Sequence, residues 1–207
     1  MKKIVSIVLA VSMLAVCVTG CKTTTRKQLK PVVLNEVAHS IFYAPQYAAI
    51  ELGYFEDEGL DLTLVNGAGA DKVMTALISG DADIGFMGSE ASIYVYQQGS
   101  DDYAVNFAQL TQRAGNFLVG REAQNNFTWA DLKGKKVLGG RAGGMPEMVF
   151  EYILKKNGID PAADLTIDQS INFGLTAAAF TSNDADYTVE FEPFATGLEK
   201  EGNGHVI

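Results

Sequence analysis

Three times in 207 residues an apolar run breaks into glycine and then gives way to a helix-forming stretch. The clearest case is Lys135-Lys136-Val137-Leu138-Gly139-Gly140-Arg141-Ala142-Gly143-Gly144-Met145-Pro146-Glu147-Met148. Val137 and Leu138 read as a short buried strand, the glycines as a loop, and Pro146 as part of a first helical turn, where a missing N–H costs nothing. Glu147 in that turn favours the positive end of the helix dipole. The same grammar occurs at Leu62-Thr63-Leu64-Val65-Asn66-Gly67-Ala68-Gly69-Ala70-Asp71 and at Ile84-Gly85-Phe86-Met87-Gly88-Ser89-Glu90. Glycines there let the backbone approach a ligand closely and leave N–H groups in a crevice. Such junctions imply parallel strands with ligand loops at their carboxyl ends, an α/β fold.

The N-terminal segment stands outside that pattern. Lys2 and Lys3 precede an apolar run, Ile4 to Val18, broken only by Ser6 and Ser12. The run is short for a bilayer span and reads as a secretory signal over residues 1–20. Val18-Thr19-Gly20-Cys21 looks like a bacterial lipoprotein cleavage box, so Cys21 is the expected lipidation site and the membrane an expected partner. Residues 21–30 read as a polar tether. Cleavage before Cys21 removes two lysines and no acids, taking the formal net charge from −9 to −11. Cys21 would then be the sole cysteine, which leaves no intramolecular disulfide. A chain this acidic is a poor nucleic-acid binder, and no nucleic-acid partner is expected.

Along the chain the periodicity predicts strands at 32–38, 60–65, 83–86, 103–110 and 117–120, with helices at 45–52, 71–79 and 89–98 between them. Ser89 is placed as the cap of the last helix. The pattern then restarts. A helical turn at 128–132 precedes strands at 136–139, 165–171 and 185–191 and helices at 146–157, 174–181 and 192–201. His205-Val206-Ile207 opens another strand. Two α/β lobes are therefore expected, with a junction near Gln109 to Asn116.

Several pieces carry a family resemblance. His39-Ser40-Ile41-Phe42-Tyr43-Ala44-Pro45-Gln46-Tyr47-Ala48-Ala49 is followed by Gly53-Tyr54-Phe55, Glu58-Gly59-Leu60-Asp61-Leu62, Asp81-Ala82-Asp83-Ile84-Gly85 and Asp131-Leu132-Lys133-Gly134-Lys135-Lys136-Val137. In this order they resemble the substrate-binding lipoproteins of ABC importers, in the sulfonate/nitrate/thiamine-precursor (pyrimidine synthase-like) group. The resemblance implies a two-lobed periplasmic-binding-protein fold, type II-like, that closes on its ligand. It implies a permease and its ATPase as partners, a monomer, and an extracytoplasmic, lipid-anchored location. It also implies that the chain returns to the first lobe after the second. That return is missing, so the chain reads as C-terminally truncated, with lobe one (31–112) incomplete and lobe two at 113–207. An incomplete lobe exposes apolar surface, and residues 22–207 alone are expected to aggregate.

The loops give a lean on the ligand. Helix starts carry Asp71, Glu90, Glu147 and Glu192, which compete with an anion for the same dipole ends, and Arg141 is the one strong cation in these loops. A neutral or cationic N-heterocycle fits better, with carboxylates accepting from ring amino groups and Phe42, Tyr43 or Phe173 stacking on its face. A thiamine-precursor pyrimidine is the leading reading, and a sulfonate or nitrate the alternative. The candidate ligand-binding residues are His39, Phe42, Tyr43, Asn66, Gly67, Gly69, Gly88, Ser89, Glu90, Arg141, Gly143, Gly144, Met145, Asn172, Phe173, Glu190 and Glu192. Each has a blander role: the acids as helix-terminus charges, the aromatics as core, Asn66, Asn172 and Ser89 as turn or cap residues. Alternation places Glu190 and Glu192 on one face. Tyr94 and Tyr96 read as helix packing, and Trp129 as a seal between the lobes.

Catalysis finds little support. Gly67-Ala68-Gly69 lacks the third glycine of a dinucleotide loop, and Met145 stands where a phosphate loop needs lysine. His39 and His205 are the only histidines, and no metal-ligand spacing appears. No cofactor and no catalytic residue is expected. A pyrimidine-synthase-like enzyme and a sensor module are the remaining alternatives.

Overall fold

The computed structural model describes residues 28–113, 115–172, 174–182 and 184–207. The signal segment, Cys21 and Phe173 lie outside the described residues, as does most of the tether. Lys30, expected in the tether, already belongs to the first strand.

The first half builds a three-stranded sheet from β1 (Lys30–Glu36), β2 (Leu60–Asn66) and β3 (Ile84–Phe86). Its order is β2-β1-β3, and both pairings are parallel, with Val32 opposite Leu62 and Leu34 opposite Ile84. Parallel neighbours need crossovers. Helices α1 (Ala44–Glu51) and α2 (Tyr54–Asp57) supply the first, and α3 (Ala70–Ser79) the second. Gly80 ends α3 in the left-handed conformation that glycine tolerates. Helix α4 (Glu90–Gln97) follows β3. Ser89 sits at its cap position, yet its side chain makes no capping hydrogen bond.

The second half builds a five-stranded sheet of order β6-β5-β7-β4-β8. Its strands are β4 (Asn116–Gly120), β5 (Lys136–Leu138), β6 (Thr166–Asp168), β7 (Tyr187–Phe191) and β8 (His205–Val206). β5 runs parallel to β6 and β7, whereas β4 runs antiparallel to β7 and β8. Helices α5 (Met145–Lys156), α6 (Thr176–Ser182) and α7 (Phe194–Lys200) connect them. Adjacent residues point to opposite faces of a strand. Accordingly Leu118 and Val137 join one apolar cluster, with Phe150, Leu154 and Tyr187, while Val119 and Leu138 join another, with Phe180, Ala195 and Leu198.

Two expectations need correction. The stretch 103–110 alternates like a strand but forms none, and Val105 and Phe107 are 75% and 78% exposed. Trp129 does not seal a space between lobes: it packs edge-on to Phe127, at 5.4 Å between ring centres, against the Leu132–Val137–Tyr187 cluster.

Candidate functional site: an aromatic cavity with a buried carboxylate

A cavity of about 170 Å³ lies where the two sheets present the carboxyl ends of their strands. From the first sheet come Val37 after β1, Gly69 to Asp71 after β2, and Phe86 to Gly88 at the end of β3. From the second come Arg141 to Pro146 after β5 and Phe191 at the end of β7. The glycine loops that opened the sequence reading therefore do meet at one place.

The apolar wall is a set of rings. Phe42 and Phe191 meet edge to face with centres 4.9 Å apart, and Tyr43 and Phe86 do so at 4.5 Å. Such T-shaped pairs set positive ring edges against negative faces. A Cβ at Gly115 would collide with the Phe42 ring, so this glycine makes room for it. Burial, reinforced by the charges of Tyr47, Glu36 and Glu90, pushes the Tyr43 hydroxyl up to about 12.

Three ionisable side chains complete the wall. Glu90 is only 3% exposed, and its Oε2 has no hydrogen-bond partner among the described residues. Burial raises its affinity for a proton, against the opposing pull of its own N–H and that of Met145. Arg141 forms a two-pronged ion pair with Asp71, Nη1 on Oδ1 and Nη2 on Oδ2. That pair spans the cavity from the loop after β5 to the start of α3. Hydrogen bonding to Arg141 holds the Asp71 carboxyl below its usual range, and Asp71 raises Arg141 in turn.

Several of the loop amides are already used. Gly67 N–H donates to the Glu36 carbonyl, Ala68 N–H to the Asn66 side chain and Gly69 N–H to the Val37 carbonyl. In the second loop Gly139 N–H donates to the Asp168 carbonyl, Gly144 N–H to the Arg141 carbonyl and Gly143 N–H to Glu147. Glu147 is itself buried, also accepts from Gln169 and is raised to about 7 by burial and its neighbour Glu151. A nest of free N–H groups is what an oxyanion needs, and these two loops spend six of theirs internally.

Of the expected site residues, Phe42, Tyr43, Gly69, Gly88, Glu90, Arg141, Gly143, Gly144 and Met145 line this cavity. Glu190 does not. It lies 1% exposed beside an adjacent pocket, its carboxylate accepting from Thr176 and Thr188 at 3.0 and 2.6 Å, and burial raises it to about 7. Glu192 lies outside both linings, so alternation did not keep it with Glu190: its carboxylate accepts from the Thr196 N–H and hydroxyl in α7. His39 turns away as well, Nδ1 lying 2.9 Å from Glu36 and its ring 4.5 Å from Tyr47. Asn66, Gly67, Ser89 and Asn172 serve turns and caps outside the lining. Tyr94 and Tyr96 are partly to well exposed rather than packed, Tyr94 reaching Met148 and Tyr96 meeting Tyr103. Sequence reasoning missed Phe86, Thr111, Asn116 and Phe191 as lining residues and, having weighed Asp71 as a helix-start acid, left it out of the candidate ligand-binding residues. Position at a strand's carboxyl end is the signal that marks Phe86 and Phe191.

Paired glycine loops over a crevice between two α/β sheets define the periplasmic-binding-protein fold. Solved structures agree. A protein from Bordetella bronchiseptica RB50 superposes with a TM-score of 0.68 at 25% identity, covering 86% of this chain and 56% of that one. The alkanesulfonate-binding protein SsuA from Xanthomonas axonopodis pv. citri gives 0.64 at 22%, covering 85% and 59%. The nitrate-binding protein NrtA from Synechocystis PCC 6803 gives 0.63 at 18%, covering 86% and 51%. Residues 41–203 match the NMT1/THI5-like family, and the chain belongs to that family. It is 50% identical over 188 residues, 91% of its length, to the "Putative binding protein YtlA" of Bacillus subtilis (strain 168), and spans 56% of that relative.

Proposed function

We propose that this chain is the solute-binding receptor of an ABC importer, working outside the cytoplasm on a lipid anchor at Cys21. Its lobes, residues 31–112 and 113–207, close on a small flat N-heterocycle, with a thiamine-precursor pyrimidine as the leading ligand, and hand it to a permease driven by its ATPase. The observation that carries this reading is Glu90: a buried carboxylate with an unpartnered oxygen, set in a wall of Phe42, Tyr43, Phe86 and Phe191. A ring that stacks on those aromatics and donates an N–H to Glu90 fills both needs. The family and the name of the Bacillus relative support a binding role. Such a role needs no chemistry, only a higher affinity of the closed state than of the open one.

A sulfonate or nitrate is the second reading. Arg141 in the lining favours it, and two structural neighbours are named for those anions. A thermal-shift panel separates the two. Ligand at a hundred times its Kd adds about 2.7 kcal/mol, a shift of a few degrees. The expected result is a shift with 4-aminopyrimidines, lost in Glu90→Gln, and none with methanesulfonate or nitrate. Shifts with the anions alone would overturn the heterocycle reading.

A further inference from the structure

We propose that Asp71 is a specificity-determining residue of this cavity: by occupying both prongs of Arg141 it closes the site to oxyanions and leaves the buried Glu90 to face the ligand. This inference rests on the cavity being a ligand site, though not on which heterocycle enters it.

Arginine binds carboxylates, sulfonates and phosphates through the same planar fork, two parallel N–H groups to two oxygens. Here that fork is filled. Nη1 and Nη2 go to the two oxygens of Asp71, 70 residues away in the chain and on the other side of the cavity. The backbone is shaped to allow it. Gly69 takes a φ of +146°, and a Cβ there would run into Arg141 Nη1. Arg141 thus lies against a position that only glycine leaves open.

Several other anion handles are taken as well. Gly67, Ala68 and Gly69 spend their N–H groups on the protein's own oxygens, and Gly143 spends its on Glu147. Glu90 adds a buried carboxylate in the same lining. An entering oxyanion therefore finds a cation already neutralised, and loses the partner that would hold it. Of these barriers, Asp71 is the one that a single exposed side chain supplies. Its side chain is 56% exposed, so replacing it disturbs no core.

The experiment measures methanesulfonate and 4-aminopyrimidine binding by calorimetry, at low ionic strength because partly exposed charges are screened by salt. Wild-type protein, Asp71→Asn, Asp71→Ser and Asp71→Asn/Arg141→Gln are compared, with a melt of each to show that it folds. Both single variants are expected to bind methanesulfonate at least tenfold more tightly than wild type, and the double variant to lose that gain. Wild-type affinity for methanesulfonate equal to that of the variants, or no gain in either folded single variant, would overturn the proposal. So would a gain that survives removal of Arg141. If wild type binds no aminopyrimidine while the Asp71 variants gain methanesulfonate, the heterocycle reading falls and the role of Asp71 stands.

Discussion

In the five-stranded sheet both faces are closed by hydrocarbon, with Leu118, Val137, Phe150 and Leu154 on one side and Val119, Leu138, Phe180 and Leu198 on the other. The three-stranded sheet is organised differently. β2 alternates half-buried and exposed residues from Leu60 to Val65, and the carboxyl end of β1 buries a carboxylate. Glu36 is 1% exposed; Gln46 and the Tyr47 hydroxyl donate to its Oε2 at 3.1 and 2.8 Å, and His39 sits on Oε1. Burying a carboxylate is tolerated only when its lone pairs are met. The first half thus adds a cluster of directional bonds to its own packing of Val32, Leu34, Val73 and Met74, whereas the second rests more on non-directional packing. Directional bonds hold side chains in fixed positions at modest net stability, which suits a wall that must meet a ligand.

The largest expected effect tests the hydrocarbon half. Phe180 is fully buried, and Arg121 lies 4.3 Å from its ring centre. Phe180→Ala should cost about 3–5 kcal/mol in chemical denaturation. A loss under about 1 kcal/mol would show that the second sheet is not the anchor.

Next comes the acid buried within that half. The folded state raises Glu190 from 4.5 to about 7, chiefly by burial. Folded protein therefore keeps a proton that the unfolded chain releases between those values. Stability contributed by the protonated group is complete below about pH 4.5, falls as pH rises and is gone above about pH 7. The span is worth about 3 kcal/mol as an upper bound. Glu190→Gln, which cannot ionise, should flatten this part of the stability–pH curve; an unchanged slope would assign it to another group.

How much of this was legible in the sequence follows from where each partner lies. Strand–glycine–helix junctions are local, so β2–α3, β3–α4 and β5–α5 were readable from spacing. The stretch 103–110 was misread because alternation shows only that a strand is possible, whereas a ladder needs a neighbour, and among the described residues none pairs with it. At the site, Glu90 was readable as an acid at a helix start, but its burial and its unpartnered oxygen depend on a fold around it. The Asp71–Arg141 pair joins positions 70 apart, which no local pattern encodes. His39 and Glu192 failed for the opposite reason. Their partners, Glu36 and Thr196, lie three and four residues away, and local bonds claim such groups before a ligand can.

The smallest effect sharpens the contrast on the directional side. Glu36→Gln keeps the shape but replaces a charged acceptor by a neutral amide, so two donors at Oε2 compete for a single carbonyl oxygen or face an NH₂ group. The expected loss is about 1–2 kcal/mol, smaller than that of Phe180→Ala, because hydrogen bonds to charge are weakened rather than a cavity opened. Its distinguishing mark is positional. Tyr47 also accepts from the Ser40 N–H, and the Ser40 hydroxyl donates to the Glu192 carbonyl in the other half of the molecule. Loosening Glu36 should therefore speed hydrogen exchange at Ser40 and Phe42, at the edge of the cavity, while amides of β5 and β7 keep their protection. Equal acceleration in both sheets would mean that the two halves unfold as one unit, and that the division between packed hydrocarbon and directed bonds has no counterpart in local stability.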